Sequence, residues 1–459
     1  MFDERRVRSG ERPLSGRHAV LGASGIEEWA TALSGALEAG SGLDDGGRVD
    51  ALRALERLDC VITAAQAHLA RELDESQRAV QAEAGVRPSR QVAGVAQQVA
   101  LARRESPHRG RQHLGLAKVV ARELPHTWSA WRAGRITEWK ATIVARETAC
   151  LSLADRLAVD EVVARDATAL ETMGDRELAS ACLAQAARLD AAALVARRRR
   201  AEGERRVTLR PAPDTMTYLT ALLPVKDGVA ALAALTRAAD SARAVGDERS
   251  RGQVMADALV ARVCGSADTA ATPTSGDMAA PVSLGLVMTD AALFGGADDE
   301  AHLEGFGPIP AELAREIVSG ACARDEEVWL RRLYASPTSG ELVAMDGRGR
   351  RFRGSLARFV RLRDRICRTP WCDAPIRHVD HVRRHADDGP TRGRNAQGLC
   401  EACNYAKDAP GWLARPGPGG GVETMTPSGR TVSSRPPPVA RIIRGRQLPA
   451  LTIDYVLAG

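Results

Sequence analysis

Two cysteine pairs, Cys367-x4-Cys372 and Cys400-x2-Cys403, stand about thirty residues apart in a chain of 459 residues. This pairing restricts the fold more than any other feature of the sequence. Two thiolates from each pair complete a tetrahedral shell around one ion, and a shell of four cysteines leaves no open coordination position. The expected ion is therefore a structural Zn²⁺. A segment of this size with few core hydrophobes needs such a staple to fold.

Between the pairs lie the dipeptide Asp380-His381 and Asn395, and Asn404 directly follows the last cysteine. Neighbours in a strand point to opposite faces, so Asp380 and His381 take different roles. A carboxylate oxygen suits a hard divalent cation such as Mg²⁺, and a neutral imidazole suits a general base at cellular pH. Taken alone, an Asp-His dipeptide is a weak signal and reads as an ordinary salt-bridged surface pair. In a helix, positions 400, 403, 404 and 407 share a stripe about 100° wide, so zinc at one end would set the position of Asn404 and Lys407. A cysteine knuckle preceding the helix would shift that register.

Charge is concentrated in the same region. From Arg348 to Arg415 there are 16 basic and 7 acidic residues, while the rest of the chain carries 48 and 51. A polyphosphate partner would favour such a basic surface, as would simple solvation. Arg361 and Arg363 in the Arg348–Arg368 run, the pair Arg383 and Arg384, and Lys407 are the candidate phosphate contacts. None of them identifies a base-reading element. Arginine supplies nearly all of the positive charge, with only four lysines among 64 basic residues, which reflects codon bias before recognition.

The first 24 residues read as a flexible N-terminus. Residues 25–265 are rich in Ala, Leu, Arg and Glu at helical spacing, and Leu52, Leu55, Leu58, Ile62, Ala65 and Leu69 form a stripe expected to face a core. Helices are expected over 92–105, 137–149, 153–166, 175–197, 228–244 and 250–263, with a β-hairpin near 207–220. Residues 266–281 read as a linker, 282–346 as a mixed α/β connecting segment with a strand from Val282 and a helix over 310–333, and 347–415 as the cysteine-bearing module. After Gly411 the Pro/Gly content predicts a loosely ordered tail (416–459). Cys60, Cys150, Cys182, Cys264 and Cys322 read as small core hydrophobes of a reduced compartment. With no apolar run of about 18 residues and no leader-like start, a cytoplasmic protein without membrane contact is the expectation.

The order Cys-x4-Cys, Asp-His, Asn, Cys-x2-Cys-Asn-x2-Lys resembles that of the HNH endonucleases of the ββα-metal fold. Upstream, Gly134-Arg-Ile-Thr, Gly305-Phe-Gly-Pro-Ile-Pro, Trp329-Leu-Arg-Arg-Leu, Ser339-Gly-Glu-Leu and Arg361-Leu-Arg-Asp-Arg-Ile-Cys are similar to the bacterial proteins in which a helical domain of unknown function, number 222, precedes an HNH module. The resemblance implies a mainly α-helical N-terminal domain plus a small zinc-stapled ββα-metal module, and a metal-dependent hydrolase of DNA phosphodiester bonds. It implies His381 as the base, Asp380 and Asn404 as ligands of a catalytic Mg²⁺ or Mn²⁺, and Asn395 as the residue that holds the hairpin loop. The sequence departs from the family in Val382-Arg383-Arg384, where a proline is usual, and in Asp388-Gly389-Pro390-Thr391, which keeps one glycine of two. A non-catalytic zinc module that binds nucleic acid or another partner is the alternative.

Overall fold

The protein is described here by a computed structural model covering residues 22–39, 42–88, 91–264, 284–323 and 354–438. The linker at 266–281, the motifs at Trp329 and Ser339, the arginines from Arg348 to Arg353 and almost all of the N-terminal 24 residues lie outside the described residues.

The N-terminal part is helical: α1 (Ala23–Ala39), α2 (Asp45–Glu83), α3 (Val95–Arg103), α4 (Pro107–Glu123), α5 (Pro125–Arg132), α6 (Glu138–Thr148), α7 (Leu153–Ala164), α8 (Ala167–Thr172), α9 (Asp175–Leu189) and α10 (Ala191–Gly203). An antiparallel hairpin, β1 (Arg206–Pro211) and β2 (Thr217–Leu222), precedes α11 (Val225–Ala244) and α12 (Arg251–Cys264). The helix starts are set by capping side chains: Ser106, Thr137, Ser152 and Asp190 each accept a backbone N–H from the first turn. Asp190 also corrects the single helix expected over 175–197. Its side chain accepts from the Ala193 N–H at 2.8 Å, so the chain stops at Leu189 and begins a second helix.

The core of this part joins Ala64 and Ala67 of α2 to Val120, Leu124, Trp131, Ile143, Val144, Val159, Leu178 and Cys182. The fully buried Trp131 donates its indole N–H to Thr63 Oγ1 at 3.1 Å. Asp160 is also buried, and it accepts from the backbone N–H groups of His126 and Thr127 at 2.7 and 3.1 Å, satisfying free donors at the start of α5. The stripe expected to face the core of α2 does not do so: Leu52, Leu55, Leu58, Ile62 and Leu69 are exposed, and the buried face carries Cys60, Ala64, Ala67, Ala70 and Asp74. Both faces have helical spacing. The small residues sit inward because the bulky Trp131 and Leu124 supply the volume on that side.

A three-stranded antiparallel sheet follows, β3 (Leu286–Val287), β4 (Ala301–Leu303) and β5 (Gly307–Ile309), with α13 (Asp290–Phe294) and α14 (Ala311–Ala323). The C-terminal part runs α15 (Gly354–Asp364), β6 (His378–His381), β7 (Ala396–Leu399), α16 (Glu401–Lys407), β8 (Leu413–Pro416), β9 (Val422–Met425) and β10 (Thr431–Ser434). β6 and β7 pair antiparallel, with Asp380 opposite Gln397 and His381 opposite Ala396. Of the segment expected to be loose after Gly411, residues 439–459 lie outside the described residues, and the described ones, up to 438, instead form a β8–β9–β10 meander. Its glycines and prolines occupy the turns, Trp412 and Val422 are buried, and Arg368 donates to the carbonyls of Ser434 and Gly420 at 3.1 and 3.4 Å.

One buried carboxylate organises this part. Asp364, 1 % exposed, accepts Arg363 Nε at 2.6 Å, Arg368 Nη1 at 3.0 Å and the Gly398 N–H at 2.7 Å. Arg363 donates onward to the carbonyls of Gly393 and Ala396 at 2.6 and 2.7 Å. Helix α15, strand β7 and the meander are thereby tied through one charge. The helical part meets this unit at α3, where Leu101 packs with Ala409 and Trp412. Gly94 has φ +89°, and a Cβ there would fall 2.4 Å from Trp412 Nε1, so the close approach requires glycine.

Asp364→Ala leaves two buried guanidinium groups without their carboxylate and should cost about 3–5 kcal/mol. Urea unfolding of the full chain measures this; a change below about 1 kcal/mol would remove Asp364 from its central place.

Candidate metal centre

The loop carrying Cys367 and Cys372 is held by backbone bonds, Cys367 N–H to Ala374 O at 2.9 Å and Arg368 N–H to Gly398 O at 2.9 Å. It faces the turn between β7 and α16. The four cysteines are buried, and their sulfurs all lie within 4.8 Å of one another. Cys372 Sγ is 3.6 Å from Cys400 Sγ and 3.8 Å from Cys403 Sγ. Bonds of about 2.3 Å to a central tetrahedral ion place sulfurs about 3.8 Å apart, whereas a disulfide needs about 2.05 Å. All four are free thiols, and the cluster could hold a metal such as zinc. The crowded thiols shift one another: S–H donation from Cys372 pulls Cys367 down to about 7, and proximity to Cys367 pushes Cys403 up. A metal ion would take the place of the protons that the four groups share.

Cys400 is the N-cap of α16 and its sulfur accepts the Cys403 N–H at 3.4 Å, so the knuckle before the helix is the arrangement adopted. Asn404 and Lys407 follow on the first two turns. Asn404 Oδ1 is buried and has no hydrogen-bond partner among the described residues. Lys407 is buried, and its ammonium lies 2.6 Å from Asp380 Oδ2, 3.1 Å from His381 O and 3.6 Å from Asp408 Oδ1. Helix α16 is thus fixed to the cysteine cluster at its start and to β6 at its end.

His381 is 5 % exposed, with Nε2 2.9 Å from Thr391 Oγ1 and Nδ1 3.8 Å from Asp380 Oδ1. Burial lowers its pKa despite the raising influence of Asp380, and His385 and Lys407 lower it further. The His385 ring stands edge-on to it at 5.6 Å. Asn395, also buried, closes the loop between β6 and β7: its Oδ1 accepts the Arg383 N–H at 2.9 Å, and its Nδ2 donates to Arg383 O and Pro390 O at 3.0 and 2.9 Å.

Two of the five expected phosphate contacts are corrected by burial. The Arg363 guanidinium is committed to Asp364 and two carbonyls, and the Lys407 ammonium to Asp380, so neither can meet an outside phosphate without breaking internal bonds. Arg361 and Arg383 are exposed, and Arg384 is half-buried, donating to Lys407 O at 3.1 Å. Asp364, Arg368 and Thr391 were not singled out from sequence. An aspartate with arginines at −1 and +4 was a legible sign of a clamp; nothing marked Thr391 as the partner of His381. Among the described residues no single helix is long and apolar enough to cross a membrane.

Comparison with known proteins places the longer, N-terminal part of the chain. An uncharacterized protein of Mycobacterium tuberculosis, Rv3776, is 27% identical over 365 residues, covering 71% of this chain and 67% of its own length. No solved structure gives a significant match. The family described as Domain of unknown function (DUF222) matches residues 47–364, ending at the aspartate just before the first cysteine pair. With well over half of its length inside that match, the chain belongs to the DUF222 family.

Proposed function

We propose that the C-terminal part is an HNH-type endonuclease module of the ββα-metal kind and that the chain hydrolyses DNA phosphodiester bonds. The observation that carries this reading is the convergence of Asp380, His381, Asn395 and Asn404 on one antiparallel hairpin and the short helix packed against it. A purely structural zinc domain gives no reason for a buried histidine beside a carboxylate, or for a buried amide oxygen without a donor.

In this reading Asp380 and Asn404 would hold a divalent cation, Mg²⁺ or Mn²⁺. Asn404 Oδ1, buried with no hydrogen-bond partner among the described residues, and the Asp380 carboxylate are donors of the right, hard type. When bound, that ion would supply positive charge for the developing negative charge on the scissile phosphate and the leaving 3′ oxygen. In the tautomer that carries its proton on Nε2, facing Thr391 Oγ1 at 2.9 Å, the His381 Nδ1 nitrogen on the Asp380 side would take a proton from the attacking water. Burial favours the neutral imidazole that this step requires. Asn395 keeps the loop after His381 closed, which fixes the angle at which the ring is presented. Arg361 is exposed, and so is Arg383, whose Nε donates to Asp387 O at 2.6 Å; their remaining donors would contact the phosphate backbone.

One observation favours a second reading, a zinc module that binds nucleic acid without cutting it. The ammonium of Lys407 already neutralises Asp380 at 2.6 Å. A carboxylate engaged in this way resists giving up its partner for a cation.

Metal analysis of protein purified without added zinc should find one tightly held Zn²⁺ per chain, and Cys403→Ala should lose it together with much of its resistance to urea. Zinc-free parent protein with unchanged stability would exclude the staple. Plasmid incubated with Mn²⁺ or Mg²⁺ should be nicked or linearised by the parent. Removing the base in His381→Ala should lower the rate by about 10²–10⁴-fold, and a chelator should abolish cleavage. A parent that retains plasmid in a gel shift and never cuts it, whether or not the DNA is modified, would establish the second reading.

A further inference from the structure

The most basic exposed segment of the described chain is far from the cysteine module in sequence. Residues 197–210 contain seven arginines and two glutamates, spanning the end of α10 and all of β1 but its last residue. Arg197 is turned inward to Glu147, at 3.0 Å, and Arg198 is paired with Glu202 at 3.2 Å. Arg199 and Arg200 are exposed and have no carboxylate partner among the described residues.

The hairpin continues this surface. Its register sets Arg206 opposite Leu222, Thr208 opposite Thr220 and Arg210 opposite Tyr218, so these six share one face. Arg210 lies over the Tyr218 ring at 4.2 Å, which presents a guanidinium and a phenol side by side. The opposite face carries Val207, Leu209 and Leu219, and every residue of both strands is exposed. An isolated two-stranded ribbon is marginal in water, and this one leaves an apolar face and a basic face uncovered together.

We infer that the α10–hairpin segment is a DNA-binding arm, with Arg199, Arg200, Arg206 and Arg210 contacting phosphates and the ribbon seated in a groove of the duplex. This extends the proposal that the chain acts on DNA by naming where the duplex is gripped. The chemistry favours a nucleic acid over an acidic protein: guanidinium forks with Thr and Tyr hydroxyls are the donor set of phosphate backbones. The shape agrees, because a major groove about 12 Å wide accepts a two-stranded ribbon. A groove encloses a ribbon on both sides, which also gives the apolar face cover against sugars and thymine methyl groups.

The test uses the full-length chain, a fluorescent duplex of arbitrary sequence and an anisotropy titration over a salt series. The variant Arg199→Ala/Arg200→Ala/Arg206→Ala/Arg210→Ala should bind at least about tenfold more weakly, and its salt slope should flatten by about 0.9 for each phosphate contact removed. The corresponding four-lysine variant should recover most of the slope, since the charge is kept, and equal circular dichroism and metal content in both variants exclude misfolding. A four-alanine variant with the parent's affinity and slope overturns the inference. So does a parent that ignores the duplex while binding polyglutamate or anionic vesicles. Binding that depends on the arm in a chain that never cuts would defeat the nuclease proposal and leave the arm standing, whereas cutting with arm-independent binding would do the reverse.

Discussion

The C-terminal part depends on a charge that is removed from water. Asp364 is buried among three donors, and each donor belongs to a different piece of chain: Arg363 on the same helix, Arg368 beside the first cysteine pair, and the Gly398 N–H in the strand leading to the second. A lone buried carboxylate would be costly, so the surrounding segments persist only in the one arrangement that satisfies it. That arrangement brings the two cysteine pairs to the same place before any metal is considered. Arg368 carries the constraint on to Ser434 and Gly420, which is why a stretch rich in proline and glycine is ordered.

The cysteine cluster and Lys407 then act on α16 from its two ends. The buried cysteine cluster, which could hold a metal such as zinc, gathers Cys400 and Cys403 at the start of the helix, and the Lys407–Asp380 pair ties its last turn to β6. Asn404 lies between these anchors, its amide oxygen buried with no hydrogen-bond partner among the described residues. In the proposed mechanism Lys407 is more than an obstacle to a cation. Its ammonium holds the Asp380 carboxylate in position while also bonding the His381 carbonyl. Exchange of one positive charge for another would leave the frame intact, and the stability of the Lys407 pair sets how readily that exchange occurs.

Much of the site was legible because its chemistry is local in sequence. The spacing of Cys367, Cys372, Cys400 and Cys403 told of a shared ion, and the four sulfurs do meet. The helix expected over 137–149 is present as α6, whereas α4, which begins at Pro107 behind the Ser106 cap, was not among the expected helices. What failed depended on distant partners. The leucines from Leu52 to Leu69 have the same period as the alanines beside them, and only the position of Trp131 decides which face is buried. Arg363 and Arg361 look alike in a basic run, and only the position of Asp364 and the β7 carbonyls separates a structural guanidinium from an exposed one. Composition sees charge and does not see where it is spent.

That distinction bears on the whole molecule. The net charge of +6 is the remainder of larger opposing regions: a basic cysteine module, a basic segment at 197–210, and an otherwise acidic chain. Within the module the most suggestive cations, Arg363, Arg368 and Lys407, are consumed internally. The exposed positive surface there is consequently smaller than the sequence suggests. Arg199 and Arg200 of α10 have no carboxylate partner among the described residues, Arg206 and Arg210 are exposed on β1, and all four lie within the residues the family matches rather than in the cysteine module. If the chemistry belongs to the module, then among the described residues the exposed arginines of α10 and β1 would add to Arg361 and Arg383 in supplying affinity for a polyanion.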